Sequence, residues 1–183
     1  MDSKNLIADS FWDLCKKYDI NKISIRHIHE KAGLSRQTFY NHFQDKDDLI
    51  QYCYETKVLP EDHSYDGIPY MLEWYHRLQE NKHFMKKALD TVGPNSLWRY
   101  IMKKEYIWGH RWHKKMRGAP LTEEMKIASD YYAGALISAT IEWLLNDCPV
   151  SPERMAELET RFRKISLNEI MKGDLKKGPY DNL

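Results

Sequence analysis

The chain has 183 residues with 28 Lys and Arg against 27 Asp and Glu, a formal net charge of +1, so the molecule as a whole does not present itself as a polyanion binder and any nucleic-acid signal must be local. Three cysteines, Cys15, Cys53 and Cys148, are odd in number and far apart with no C-x-x-C pair, which argues against a disulfide scaffold or a thiolate zinc site and fits reduced thiols. Residues 1–10 lack an apolar leader and no run is long and apolar enough to span a bilayer, so a soluble, cytoplasmic protein without membrane contact is expected.

Leu6, Ile7, Phe11, Leu14, Cys15 and Tyr18 recur at helical spacing, with Lys4, Asp9, Asp13, Lys16 and Lys17 between them, and predict an amphipathic first helix. Ser24 is a good N-cap for a second, short helix carrying Ile25, Ile28 and Ala32 on one face, which Gly33 closes. Ser35 caps a third, with Leu34 stapled onto Phe39 and Phe43 one turn further on. Asp45 caps a fourth, with Asp48 at its third position, and Leu49, Ile50, Cys53 and Tyr54 carry it to about Val58. Pro60, Gly67 and Pro69 bracket a polar stretch, residues 61–66, that reads as a linker. Helical patterns follow at roughly 69–80, 82–91 and 95–115, stopped by Gly118-Ala119-Pro120. Thr122 caps a long helix to about Asn146, and Ser151-Pro152-Glu153 opens a last one to about Met171, with a frayed tail from Gly173. No strand-period segment of useful length and no internal repeat occurs, so the expected fold is all-α.

The segment SIRHIHEKAGLSRQTFYNHFQDK, Ser24 to Lys46, has the logic of a helix-turn-helix, whose extent we place at about residues 22–46. With Phe39 and Phe43 turned inward, Arg36, Gln37, Thr38, Tyr40, Asn41 and His42 are left to face a partner. Arginine pairs bidentately with guanine, Gln and Asn with adenine, and hydroxyls reach phosphates. Lys22, Arg26, Lys31, Arg36 and Lys46 stand against Glu30 and Asp45, a local net charge of +3. Lys46 also lies at a helix start, where free backbone N–H groups favour a phosphate.

The run Ile25, Ile28, Ala32-Gly33-Leu34-Ser35, Thr38-Phe39-Tyr40-Asn41-His42-Phe43, Lys46 and Leu49 resembles the signature of the TetR family of transcriptional regulators. Further on, Tyr131-Tyr132-Ala133-Gly134-Ala135-Leu136 leading to Glu142-Trp143-Leu144 is similar to the subgroup of dihydroxyacetone kinase regulators. The resemblance implies an N-terminal three-helix bundle with its helix-turn-helix in residues 1–58, a helical effector-binding and dimerisation domain in 68–172, and a flexible tail in 173–183. It implies that the helix from Ser35 to Phe43 enters the major groove, while Ser24, Arg26, Tyr40, His42 and Lys46 grip the backbone. Its implied function is that of a repressor reading a pseudo-palindromic DNA operator as a homodimer under control of an effector. The alternative is an activator or co-regulator of the same fold controlled by a protein partner. His27, His29 and Gln37 are positions the family leaves free, and we expect them to bear on which operator is read.

The downstream aromatics are candidates for an effector pocket at Tyr70, Trp74, Trp98, Tyr106, Trp108 and Trp112, with plain core packing as the competing role. His110 and His113 lie one turn apart beside Lys114, Lys115 and Arg117, and a solvated basic face accounts for them better than a metal site; no metal and no cofactor are expected. Ala133, Gly134, Ala135, Ser138 and Ala139 let helices approach closely and suit a four-helix dimer interface built from the last two helices. A dimer also follows from reading DNA with one short helix per subunit. No G-x-S-x-G, phosphate loop, H-E-x-x-H or nucleophile with its base is present, so an enzyme is not expected.

Overall fold

A computed structural model describes residues 2–61, 67–91 and 93–163. Helix α1 (Ser3–Lys17) starts where the Asp2 carboxylate accepts from the Lys4 N–H at 3.2 Å and ends on Lys16 and Lys17, basic residues suited to a helix C-terminus. It buries Ile7, Phe11 and Cys15. A 3-10 turn at Ile20–Lys22 leads to α2 (Ile25–Lys31), α3 (Arg36–His42) and α4 (Lys46–Cys53). Ile7, Phe11, Ile20, Ile28, Phe39 and Leu49 meet with no exposed surface, so these four helices close around one apolar centre.

The fourth helix does not stay α to Val58 as its apolar spacing suggests. It passes into a π turn, Tyr54–Val58, in which the Leu59 N–H donates to the Tyr54 carbonyl five residues back at 3.0 Å. This wider turn joins α4 to the helices that follow: α5 (Gly67–Glu80), α6 (Lys82–Leu89), α7 (Leu97–Arg117), α8 (Glu123–Leu145) and α9 (Pro152–Phe162). The linker expected over 61–66 and the end of the last helix near Met171 fall on or beyond residues the structure does not describe. The fold is all-α, with no strand among the described residues.

Helix α5 packs on α9 and α7 on α8, while α6 bridges to the N-terminal unit. Phe84 of α6 meets Trp12 of α1 at 4.4 Å between ring centroids, and Lys87 donates to the Tyr18 carbonyl. A second join runs from the π turn to α7, where the Glu55 carboxylate accepts from Tyr100 and, at 2.6 Å, from Lys104. Gln51 donates to the Asn95 carbonyl at 2.7 Å and Arg77 to the Leu59 carbonyl at 3.0 Å. The last two helices leave much of α8 bare: Ile127 is 62% and Tyr131 72% exposed, with Tyr132, Ala135 and Ala139 also open. No described helix is long and apolar enough to cross a membrane.

Candidate nucleic-acid interface

Each end of α2 and α3 is set by a local bond. Ser24 Oγ accepts from the His27 N–H at 3.2 Å, and the Ser24 N–H donates to His27 Nδ1 at 3.2 Å, a reciprocal cap. This gives His27 a role at the helix start that its operator-facing reading did not anticipate; its place three residues after Ser24 was the available signal. Gly33 takes φ +66°, and the Leu34 N–H returns to the His29 carbonyl at 2.9 Å, closing α2 in a turn that a side chain would strain. Ser35 Oγ then accepts from the Thr38 N–H at 3.0 Å and shares a 2.8 Å bond with Thr38 Oγ1.

Burial of Phe39 and Phe43 orients the rest of α3. Arg36, Gln37, Tyr40 and Asn41 stand side by side, all exposed. They are ordered in pairs one turn apart: Arg36 Nη2 donates to Tyr40 Oη at 3.4 Å and lies 5.5 Å from its ring, and Gln37 Nε2 donates to Asn41 Oδ1 at 3.1 Å. Two amides, a guanidinium and a phenol on one narrow face offer donors and acceptors in the geometry that base edges and phosphates require. Arg26, also exposed, is held by Glu30 at 2.7 Å; this contact holds the guanidinium above and the carboxyl below their ordinary pKa values.

Three further candidates are engaged within the protein. Thr38 is half-buried against Ser35, and His42 Nε2 meets Ser3 Oγ at 2.6 Å. Lys46 Nζ donates to the Ile20 and Ile23 carbonyls at 2.8 and 3.2 Å, tying the start of α4 to the turn that precedes Ser24. At that start Asp45 Oδ1 accepts the Asp48 N–H at 2.8 Å, and Asp48 reaches back to the Gln44 N–H at 3.0 Å. With Asp47 and Asp48 in the first turn, this helix end is less inviting to a phosphate than its place in the sequence suggests. Burial, then Asp45, pushes the Asp47 carboxyl up. Lys4, which the sequence marks only as a polar position of α1, sits 4.3 Å above the Tyr52 ring.

The six aromatics proposed for an effector pocket do not converge. Tyr70 and Trp74 are buried on α5, Tyr106 is half-buried on α7, and Trp108 and Trp112 stack on each other with centroids 6.3 Å apart. Trp98 is 44% exposed, because Leu97, Ile101 and Met102 take the inward positions of α7. Only Trp74 among the six lines a void of about 10 Å3 bounded by Tyr54, Met85, Ile101, Thr140 and aliphatic side chains. Its indole Nε1 is buried with no hydrogen-bond partner.

Beside this void runs a polar seam: Tyr75 Oη bonds Thr140 Oγ1 at 3.0 Å and donates to Glu159 Oε2 at 3.2 Å, and Arg163 donates to Glu159 Oε1 at 2.5 Å. Glu159 is only 7% exposed, and burial pushes its carboxyl up against the pull of Arg163. Burial likewise raises the Tyr75 phenol, and it pushes Glu105 of α7 up to about 7. His110 and His113 are each taken by α8, the first 2.7 Å from Asp130 Oδ1 and the second 2.9 Å from Ser129 Oγ. Among the described residues no three His, Cys, Asp or Glu are placed to hold a metal.

Two family descriptions match the chain: "Bacterial regulatory proteins, tetR family" over residues 12–53 and "Transcriptional regulator C-terminal region" over 63–164, the second covering more than half of it. A curated relative, the HTH-type dhaKLM operon transcriptional activator DhaS of Lactococcus lactis subsp. lactis, is 32% identical over 89 residues, 46% of this chain. The match spans about half of that relative's length, 48%. Among solved structures, the dihydroxyacetone kinase operon activator DhaS superposes with a TM-score of 0.62 at 22% identity, covering 87% of this chain and 92% of that one. NalD, the secondary repressor of the MexAB-OprM multidrug efflux pump in Pseudomonas aeruginosa, gives a TM-score of 0.56 at 17% identity, with 91% and 96% covered. Both likenesses concern the fold.

Proposed function

Because the chain belongs to the TetR family of bacterial transcriptional regulators, we propose that it binds a pseudo-palindromic operator as a homodimer and acts as a repressor released by an effector at its C-terminal helices. The observation that carries the reading is the exposed face of α3, where Arg36, Gln37, Tyr40 and Asn41 are pre-ordered and no apolar side chain competes for the partner. Ser24, Arg26, Ser35, Thr38, His42 and Lys46 surround that face and act as backbone grips or as its supports. On this reading residues 1–58 form the DNA-binding domain and 68–172 the effector and dimerisation domain. The bare apolar stripe of α8, together with α9, serves as the two-fold interface.

A second reading is a regulator of the same fold controlled by a protein partner. One feature favours it: α7 carries seven Lys and Arg against a single Glu. Arg99, Lys103, Arg111, Lys114 and Lys115 are exposed with no ion pair among the described residues. The C-terminal half of α7 runs against the N-terminal half of α8, at the end of that helix away from Asp147 and its contacts with α6. A cationic face of this kind suits an acidic protein surface.

The test is to mix the purified protein with sheared genomic DNA from its source, recover bound fragments at moderate salt, and sequence them. A shared inverted repeat supports the operator reading; fragments with no common motif refute specific DNA reading by the protein alone. Titrating small metabolites, then candidate proteins, into the recovered complex separates the two modes of control.

A further inference from the structure

Helix α7 holds a formal charge of +6 in a chain whose total is +1, so everything outside it sums to −5. That is twice the +3 of the helix-turn-helix segment, residues 22–46. Its single acid, Glu105, is half-buried, and Lys104 is held by Glu55. Arg99, Lys103, Ile107, Arg111 and Lys115 follow one another at four-residue steps, and all five are exposed, Ile107 at 42%. They form one ridge of the helix surface about 24 Å long, with Lys114 exposed beside its far end. Like charges one turn apart oppose a helix, and no exposed acid of α7 relieves them.

The middle of this ridge is apolar. Ile107 stands between Lys103 and Arg111, which lie about 12 Å apart along the helix axis. A nucleic-acid strand presents charge at every phosphate and gains nothing from an aliphatic side chain at the centre of its track. An interface between proteins is built the other way, apolar at its centre and charged at its rim.

We infer that this ridge docks an acidic helix of a second protein, one that sets an apolar side chain of leucine size on Ile107 and carboxylates against Arg99 and Lys103 before it and Arg111 and Lys115 after it. The inference rests on the partner-controlled reading above and adds which face is used and what the partner presents. A ridge of four-residue steps packs into the matching groove of another helix, so a partner with the same spacing fits it. The carboxylates draw the partner in and set its direction, and the apolar pair at the centre holds it.

The probe is a synthetic helical peptide with a central leucine and glutamates at four-residue steps before and after it. A second peptide has glutamine for the leucine, and a third has lysine for the glutamates. Binding of each to the full-length protein is followed by the fluorescence anisotropy of a peptide label. The leucine peptide should bind and the lysine peptide should not. Ile107→Gln should weaken the leucine peptide about tenfold and leave the glutamine peptide unchanged, the coupling of two side chains in contact. Lys103→Glu with Arg111→Glu should abolish binding of the glutamate peptides and confer binding of the lysine peptide, a gain that an unfolded variant could not show. Equal binding of the leucine and glutamine peptides to the wild type reduces the ridge to a charged surface and overturns the inference. So does a paired substitution that weakens random-sequence DNA as much as the peptide, which assigns the ridge to nucleic acid. The same holds if it changes the sedimentation of the protein alone, which assigns the ridge to a second copy. A protein that alters operator affinity equally in the wild type and the doubly substituted chain overturns this face while sparing partner control. Peptide binding that leaves operator affinity untouched supports the face and overturns control through it.

Discussion

Helices α3 and α8 both turn a broad face to solvent, and the two faces have opposite chemistry. On α3 the exposed side chains are Arg36, Gln37, Tyr40 and Asn41, bonded in pairs one turn apart, Arg36 to Tyr40 and Gln37 to Asn41. On α8 they are Ile127, Tyr131, Tyr132, Ala135 and Ala139. Water satisfies the first set, so this face of α3 needs no cover and gains a partner only through specific pairing. It does not satisfy the second, where a contiguous apolar stripe favours coverage by something equally apolar. On the proposed reading both faces are interfaces, and the atoms exposed assign the first to a nucleic acid and the second to another copy of the chain.

The largest effect expected from breaking this contrast is on α8. Ala135→Glu places a carboxylate in the middle of its apolar stripe, and leaving that charge buried without a partner should weaken self-association by about 3–5 kcal/mol. Sedimentation should show monomers, and operator binding should fall with them; a variant that stays dimeric removes α8 from the interface. Arg36→Ala should cost about 1–3 kcal/mol in specific binding and relax preference at one base pair, leaving non-specific binding little changed. Lys46→Met removes two donors from the Ile20 and Ile23 carbonyls, so it should lower stability by about 1–3 kcal/mol and weaken binding to all sequences alike. Equal Tm values for Lys46→Met and wild type would return Lys46 to a pure phosphate contact.

The contrast extends to pH. Glu105 holds its proton in the fold up to about 7 and releases it near the ordinary value of 4.5 when unfolded. Its contribution is therefore fully present below that ordinary value and is lost as pH rises through about 7. Glu159, raised by burial as well, acts in the same direction. Thermal melts should show Glu105→Gln more stable than wild type at pH 8, with the difference closing toward pH 5 (conditions chosen to bracket the titration, roughly one to two units around it). The smallest effect is expected of Glu30→Gln. It frees Arg26 from its surface partner, and should leave Tm within error while raising DNA affinity slightly.

Much of the N-terminal unit is legible because its punctuation is local. Ser24, Gly33, Ser35 and Asp45 each specify one hydrogen bond or one backbone conformation with neighbours a few residues away, and each acts where its type predicts. The same holds for Thr122 and Ser151 further on. What fails to show is whatever depends on register between distant helices. Trp98 and Trp74 read alike in sequence, yet one faces solvent and the other a void, since α7 and α5 meet their neighbours at different phases. Helix α8 is apolar nearly all round, so its pattern does not reveal which side is left bare. The π turn is hidden because Cys53, Tyr54 and Val58 stay buried whether or not the turn is widened.

That turn changes what a small edit to the chain means. A π turn holds one residue more than the α turn it replaces, and an α-helical residue carries about 100° of rotation and about 1.5 Å of rise. Deleting a single residue between Tyr54 and Val58 is thus less a shortening than a change of phase: the reading head would be re-aimed against the helices behind it like a gear advanced by one tooth. If the chain reads its operator as the proposed dimer, loss or gain of one codon at this point offers a lineage a way to reset how two DNA half-sites are spaced while the residues of α3 are kept.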